Sequence, residues 1–302
     1  MIDTEAEKIQ KAIDAIKKGR PEYKQVLDLF GKIMIKQSEF SDKVKVKPLT
    51  ITKDTARARL KKGMPLLRKE DFQIDLSSAS RLFKEVFEIL KSGNPDLSDE
   101  MKKIESALKS GDLTLEEILQ SALTDDRRLS ELTEALSLDK DVILILTKVS
   151  VKPSLEAIAS QVRDMVEGSL WSQRRCPICG SSPAISELRQ LESGGVEGMT
   201  AEGAERILYC SFCETEWRTA RLGCVFCGNT DSKSLSYLYT EEEKGYRIDV
   251  CEKCKKYIKT MDSRVITHQI MPVVDDFSTL HFDMIAEEEG YKREAWFMPY
   301  GI

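Results

Sequence analysis

All eight cysteines of this chain fall into four Cys-x-x-Cys pairs: Cys176/Cys179, Cys210/Cys213, Cys224/Cys227 and Cys251/Cys254. Two thiolates at that spacing can reach one metal ion. Four such pairs with no stray thiol make two closed tetrathiolate sites the expected chemistry. Iron and zinc both accept tetrahedral sulfur, so the spacing leaves the choice between them open. The competing chemistry is the disulfide, which needs an oxidising compartment. The N-terminal stretch Met1 to Lys8 lacks the apolar core of a secretory signal, and no apolar run approaches a membrane span. A cytoplasmic protein with reduced thiols is therefore expected.

An internal repeat says which pairs share an ion. Pairs one and three are followed by glycine, Gly180 and Gly228, whereas pairs two and four are followed by an aromatic a few residues on, Trp217 and Tyr257. The alternating order favours Cys176, Cys179, Cys210 and Cys213 as one site and Cys224, Cys227, Cys251 and Cys254 as the other. Glycine tolerates φ > 0, which lets the turn aim backbone N–H groups at the sulfurs. Ten residues, 214–223, join the inner pairs. So short a link should hold the two modules side by side.

The elements that carry these sites divide the 302 residues into four stretches, an α+β chain overall. Residues 1–170 read as an all-helical domain. Residues 171–221 and 222–265 are two tandem four-cysteine modules of zinc-ribbon type, and 266–302 is a helical tail. Helical spacing of apolar residues marks Glu5 to Lys18, a helix opened by Pro21, and Leu76 to Lys91. Shorter helices are expected near 98–109, 114–123, 126–136 and 139–148, with another from Pro153 to about Trp171. Thr114 with Glu117 fits a capping box. Segment 41–75 holds at most one short helix, because Pro48 and Gly63-Met64-Pro65 interrupt it. Short strands should carry the cysteine turns, for example 206–209 and 246–250, and the glycine-rich stretch 194–203 reads as a loop. In the tail, Asp275 and Asp276 fall at a helix start, followed by an apolar face of Phe277, Leu280, Met284 and Ile285.

Charge and site chemistry narrow the function. The net charge of −5 gives no general affinity for polyanions. Residues 172–265 hold 14 basic and 14 acidic side chains, so two loaded sites at −2 each would leave the region near −4. A nucleic-acid-binding ribbon protein would instead show a basic footprint. That alternative rests on a local patch of Arg174, Arg175, Arg218, Arg221, Lys253, Lys255, Lys256 and Lys259. Eight cysteines filling two four-coordinate sites leave no open position for a substrate or an activated water. Both histidines, His268 and His281, lie away from the cysteine pairs in sequence. The expectation is a protein that is not an enzyme, with electron exchange possible if the metal is iron.

Longer motifs surround the cysteines. Cys-Pro-x-Cys-Gly-Ser-x-Pro spans 176–183, Cys-Ser-x-Cys-x-Thr-Glu-Trp-Arg spans 210–218, and Cys-x-x-Cys-Gly-Asn spans 224–229. Cys-x-x-Cys-x-x-Tyr-x-Lys spans 251–259, Gly63-Met64-Pro65-Leu66-Leu67 lies near the N-terminus, and Asp275-Asp276-x-x-Thr279-Leu280-x-x-Asp283 lies in the tail. In these motifs, and in Trp171 ahead of the first pair, the chain resembles the formate dehydrogenase accessory protein FdhE family. The resemblance implies a cytoplasmic, chaperone-like factor that binds the catalytic subunit of formate dehydrogenase and assists its maturation. It implies rubredoxin-like modules associated with iron. It also points to Thr215, Glu216, Trp217, Arg218, Asp275 and Asp276 as partner-contact candidates.

Overall fold

The computed structural model describes residues 3–123, 126–190, 204–241, 243–295 and 297. Among these, the first half is helical: α1 (Glu5–Gly19), α2 (Lys24–Ser41), α3 (Lys53–Lys61), α4 (Leu76–Gly93), α5 (Ser98–Ser110), α6 (Leu115–Ser121), α7 (Asp126–Ala135) and α8 (Lys140–Arg163). No helix of the described residues is long and apolar enough to cross a membrane. Thr4 caps α1 in a full capping box with Glu7, and Thr114 accepts the Glu117 N–H at the start of α6. The expected single short helix within 41–75 is α3.

Helix α8 corrects the sequence reading, which ended one helix near 148 and began another at Pro153. It runs unbroken through Pro153 and is buried along most of its length, from Val142 to Val162. A proline inside a helix leaves the carbonyl four residues earlier without its donor. Here that carbonyl belongs to Val149, and it accepts 2.8 Å from Nε2 of the buried Gln37 on α2. The side chain replaces the missing bond, and packing of α2, α4, α6 and α7 around α8 supplies the rest.

The second half is one mixed sheet. Strands β1 (Pro183–Gln190), β2 (Ala204–Cys210), β3 (Glu216–Thr219), β4 (Leu235–Leu238), β5 (Tyr246–Cys251) and β6 (Lys256–Asp262) line up in the order β3-β2-β1-β6-β5-β4. The expected strands 206–209 and 246–250 are β2 and β5, whereas the expected loop at 194–203 lies outside the described residues. The two cysteine modules are fused by parallel pairing of β1 with β6, Ile185 opposite Lys259 through Leu188 opposite Asp262. Buried Arg206 on β2 spans this seam, donating to Ser186 Oγ at 2.8 Å on β1 and to Asp249 at 2.6 Å on β5.

The tail folds back as α9 (Pro272–Phe277) and α10 (Leu280–Glu288), and β7 (Lys292–Arg293) pairs with β6. The expected apolar face is displaced in part. Phe277 is buried and stacks on Phe30 of α2 at 4.0 Å, but Met284 is 64% exposed, and Phe282, Asp283 and Ala286 point inward instead. The break at Ser278–Thr279 resets the helical phase, so spacing counted through it fails. Phe282 and Ala286 close a second small core with Ile248, Val250, Tyr257 and Tyr291.

Candidate metal centres

Each cysteine pair sits on a tight turn. In the first, third and fourth turns the residue after the second cysteine returns its N–H to the carbonyl of the first cysteine. Gly180 reaches Cys176 at 2.9 Å, Gly228 reaches Cys224 at 3.1 Å and Lys255 reaches Cys251 at 2.8 Å. In all four turns that residue is left-handed: Gly180 at φ 74°, Glu214 at 53°, Gly228 at 76° and Lys255 at 54°. Glycine adopts this region freely, whereas other side chains are strained there by about 1–3 kcal/mol. The two strained residues are tied down, Glu214 by Lys152 of α8 at 2.7 Å and Lys255 by Glu252 of its own turn. The same left-handed residue thus recurs four times, although only two copies are the glycine that marks it in sequence.

The turns gather the sulfurs in the alternating pairing. Cys176, Cys179, Cys210 and Cys213 form one group and Cys224, Cys227, Cys251 and Cys254 the other, with the Sγ atoms of each group within 4.8 Å of one another. In the first group Cys176 lies 3.7 Å from Cys213, and Cys179 lies 3.4 Å from Cys210 and 3.5 Å from Cys213. In the second, Cys224–Cys254 and Cys227–Cys251 are both 3.7 Å. A tetrahedral ion with metal–sulfur bonds of about 2.3 Å sets sulfurs about 3.8 Å apart, whereas a disulfide needs about 2.05 Å. The donor sets fit a tetrathiolate ion and not disulfides.

The electrostatics fit as well. Burial pushes the Cys176 and Cys210 thiols well up, while hydrogen bonds from the other three thiols hold Cys179 well down. Four anions cannot share that pocket unless a cation is present, so loading must displace protons. At Cys251 burial pushes the thiol up, but the N–H groups of Cys254 and Lys253 outweigh it and draw it to about 7. Backbone N–H groups of Phe212 and Cys213 approach Cys210 Sγ at 3.4 and 3.5 Å, and those of Phe226 and Cys227 approach Cys224 Sγ likewise.

Burial separates the two groups. All four sulfur residues of the first are buried, whereas Cys227 of the second is exposed and Cys254 is half-exposed. The first group is also strapped from the helical half. Leu66 and Leu67 donate N–H to the carbonyls of Pro177 and Ile178 at 2.8 Å each, which places the motif at 63–67 against the first turn. A Cβ on Gly180 would lie 3.2 Å from Pro65 of that strap. Phe212 is capped by the Lys69 ammonium 2.9 Å from the ring centroid, and Thr215 Oγ1 lies 3.2 Å from Cys213 Sγ. In the second group Asn229 Nδ2 reaches Cys251 Sγ at 3.8 Å.

An ion at the exposed group should therefore leave first. A coloured chelator mixed with the loaded chain should release metal in two phases, the fast one reporting the second group. A rate ratio of about tenfold or more is expected, equivalent to about 1.4 kcal/mol in barrier. One phase carrying both ions would contradict the asymmetry.

The partner-contact candidates separate by exposure. Thr215, Trp217, Asp275 and Asp276 are buried, while Glu216 and Arg218 face solvent, paired with Arg189 at 3.2 Å and with Glu205 at 2.5 Å. Asp275, inside α9, accepts the Met271 N–H at 2.7 Å and lies 2.9 Å from His268 Nε2. Asp276 pairs with Lys259 and Arg293, both at 2.7 Å, and Asp283 pairs with the same two cations at 2.6 and 3.1 Å. Tyr257 donates to Asp283 at 2.7 Å. The Tyr-x-Lys of the fourth cysteine motif and the acids of the tail motif thus meet in one buried network, a use of those residues that their spacing in sequence did not disclose.

A helical half joined to a single mixed sheet that gathers two four-cysteine groups defines the class of protein. A family model described as "FdhE, C-terminal domain" matches residues 222–298. The "Protein FdhE homolog" of Aquifex aeolicus is 28% identical over 291 residues, 95% of this chain and 93% of that protein. The one from Actinobacillus pleuropneumoniae serotype 3 is 30% identical over 175 residues, 58% of this chain and 52% of its own. The crystal structure of the FdhE protein from Pseudomonas aeruginosa shares the fold at TM-score 0.62 with 20% identity, covering 98% of this chain and 95% of that one. Along nearly its whole length the chain is thus similar to an FdhE homologue, and it shares the fold of an FdhE protein.

Proposed function

We propose that this protein is a cytoplasmic accessory factor for formate dehydrogenase. It binds that enzyme's catalytic subunit, assists its maturation, and carries one iron or zinc ion in each four-cysteine group. The observation that carries the reading is the nearly full-length likeness to an FdhE homologue, with both four-cysteine groups complete. It is not itself an enzyme in this reading, because cysteines alone fill both groups and offer no open coordination position. The exposed Glu216 and Arg218 beside the first group remain its candidate contact residues.

The test is a pull-down paired with a gel shift on one preparation at matched moderate salt. The expected result is recovery of the formate dehydrogenase catalytic subunit without nucleic acid, and loss of formate dehydrogenase activity when the gene is deleted. Salt-sensitive binding of DNA or RNA with formate metabolism intact would instead establish the ribbon-type reading.

A further inference from the structure

Strand β4 ends the sheet, and no described strand pairs with its outer side. Its antiparallel register with β5 puts Leu235 opposite Cys251 and Tyr237 opposite Asp249. These residues share one sheet face, since side chains alternate along a strand. The opposite face, with Ile248 and Val250, is covered by α10. The first face instead borders a cavity of about 260 Å³ whose wall includes Val225, Leu235 and Ile258, with Cys224 and Cys251 of the second group.

Apolar side chains stand open around that cavity. Leu222 is 82% exposed and Tyr237 55%, and Tyr239, 60% exposed, lies against Tyr237 at 5.8 Å between ring centroids. The side chains of the lining set three arginines against one carboxylate, with the −2 of the loaded second group on one side of them. The Arg206 and Arg247 guanidinium groups share the single carboxylate of Asp249, at 2.6 and 2.8 Å. Arg221 at the mouth has no acidic partner among the described residues. Arg247 also lies over the Tyr237 ring at 5.0 Å. Aromatic and arginine side chains around an apolar recess are the composition of binding hot spots, and an open strand edge is a template for another strand.

We propose that β4 and the cavity beside it bind an extended acidic segment of a partner polypeptide as an added strand. Its backbone pairs with the β4 edge, a branched apolar side chain enters the recess over Val225 and Leu235, and a carboxylate meets Arg221 and Arg247. This rests on the accessory reading, for which it supplies a place and a chemistry of recognition. The bound strand would lie against two cysteines of the more exposed group, so occupancy of the groove would be felt there first.

The probe is a fluorescein-labelled heptapeptide of alternating glutamate with valine or leucine, set against its lysine counterpart, on the full chain with both groups loaded. Fluorescence anisotropy should show the acidic peptide binding about tenfold or more tighter, equivalent to about 1.4 kcal/mol. Hydrogen exchange should slow at the amides of Leu235–Leu238. Arg221→Glu should abolish this preference and Leu222→Ser should weaken binding of both peptides, while metal content and circular dichroism stay unchanged, since both residues are exposed and outside the sheet. Equal binding of the two peptides, no binding up to millimolar concentration, or protection at β3 instead of β4 would overturn the proposal. So would self-association of the chain through β4, detected by sedimentation and abolished by Arg221→Glu, because the occupant would then be a second copy. Capture of the formate dehydrogenase subunit tests the accessory reading separately. If the peptides behave as expected and capture fails, only that reading falls, and if capture survives Arg221→Glu, only the groove proposal falls.

Discussion

Serine at both Cys176 and Cys179 is expected to remove one of two bound ions and to unfold the first half of the sheet. The other ion should stay in place. Cys176 and Cys179 belong to a fully buried group, and β1, β2 and β3 adjoin the turns that hold it. The span 176–213 is too short for an independent hydrophobic core, so metal binding carries much of its stability. A structural tetrathiolate is worth about 10–16 kcal/mol, comparable to the entire folding free energy of a typical domain. The same double change at Cys224 and Cys227 should empty the second group with a smaller loss of order. That half keeps its own core of Ile248, Val250, Tyr257 and Phe282. Metal analysis, far-UV circular dichroism and hydrogen exchange on the full chain would read the difference. Helical signal from residues 1–170 should persist in both variants, because their core of Phe83, Val86, Ile145 and Leu146 needs no ion. Loss of both ions from either variant, or collapse of the helical signal, would contradict this division of labour.

What could be read from the amino-acid sequence followed from whether the signal was local. The pairing of cysteines is local plus one repeat, and Gly180 and Gly228 gave it away because only two positions needed comparing. Glu214 and Lys255 take the same left-handed geometry without glycine, and only the backbone reveals it. Helices α1 and α4 announce themselves by apolar spacing, since each buries one stripe. Helix α8 did not. A proline usually ends a helix, and the compensating amide of Gln37 lies 112 residues away in sequence. The strap at 63–67 was visible as a motif but not as a contact, because its bonds to the first turn use backbone groups that any residue supplies. Lys259 was the least legible. A lysine in a strand next to a cysteine turn reads as a solvated charge, and its partners sit 17 and 24 residues further on.

Asp276→Asn should destabilise the chain by about 3–5 kcal/mol, the cost of leaving a buried charge without its partner. Lys259, Arg293, Asp276 and Asp283 form a neutral quartet with 7% or less of any side chain exposed. Burial already pushes the Lys259 ammonium below its ordinary value, and Asp276 is the largest influence opposing that. Asparagine keeps the shape of the aspartate but removes its charge, so the two cations lose one of the two carboxylates that pair with both of them among the described residues. The sign of the pH effect follows from proton binding. A lysine whose folded pKa falls further below its unfolded one binds fewer protons when folded, so stability rises with pH. The urea midpoint of Asp276→Asn should therefore climb more steeply than that of the parent as the pH rises toward the ordinary lysine value. Adding Lys259→Met removes one of the two cations, and the pair should cost less than the sum of the two single changes by about 1–3 kcal/mol. A single Asp276→Asn variant within about 1 kcal/mol of the parent at every pH would show that water or a shift of α10 relieves the charge, and that the quartet does not anchor the tail to the sheet.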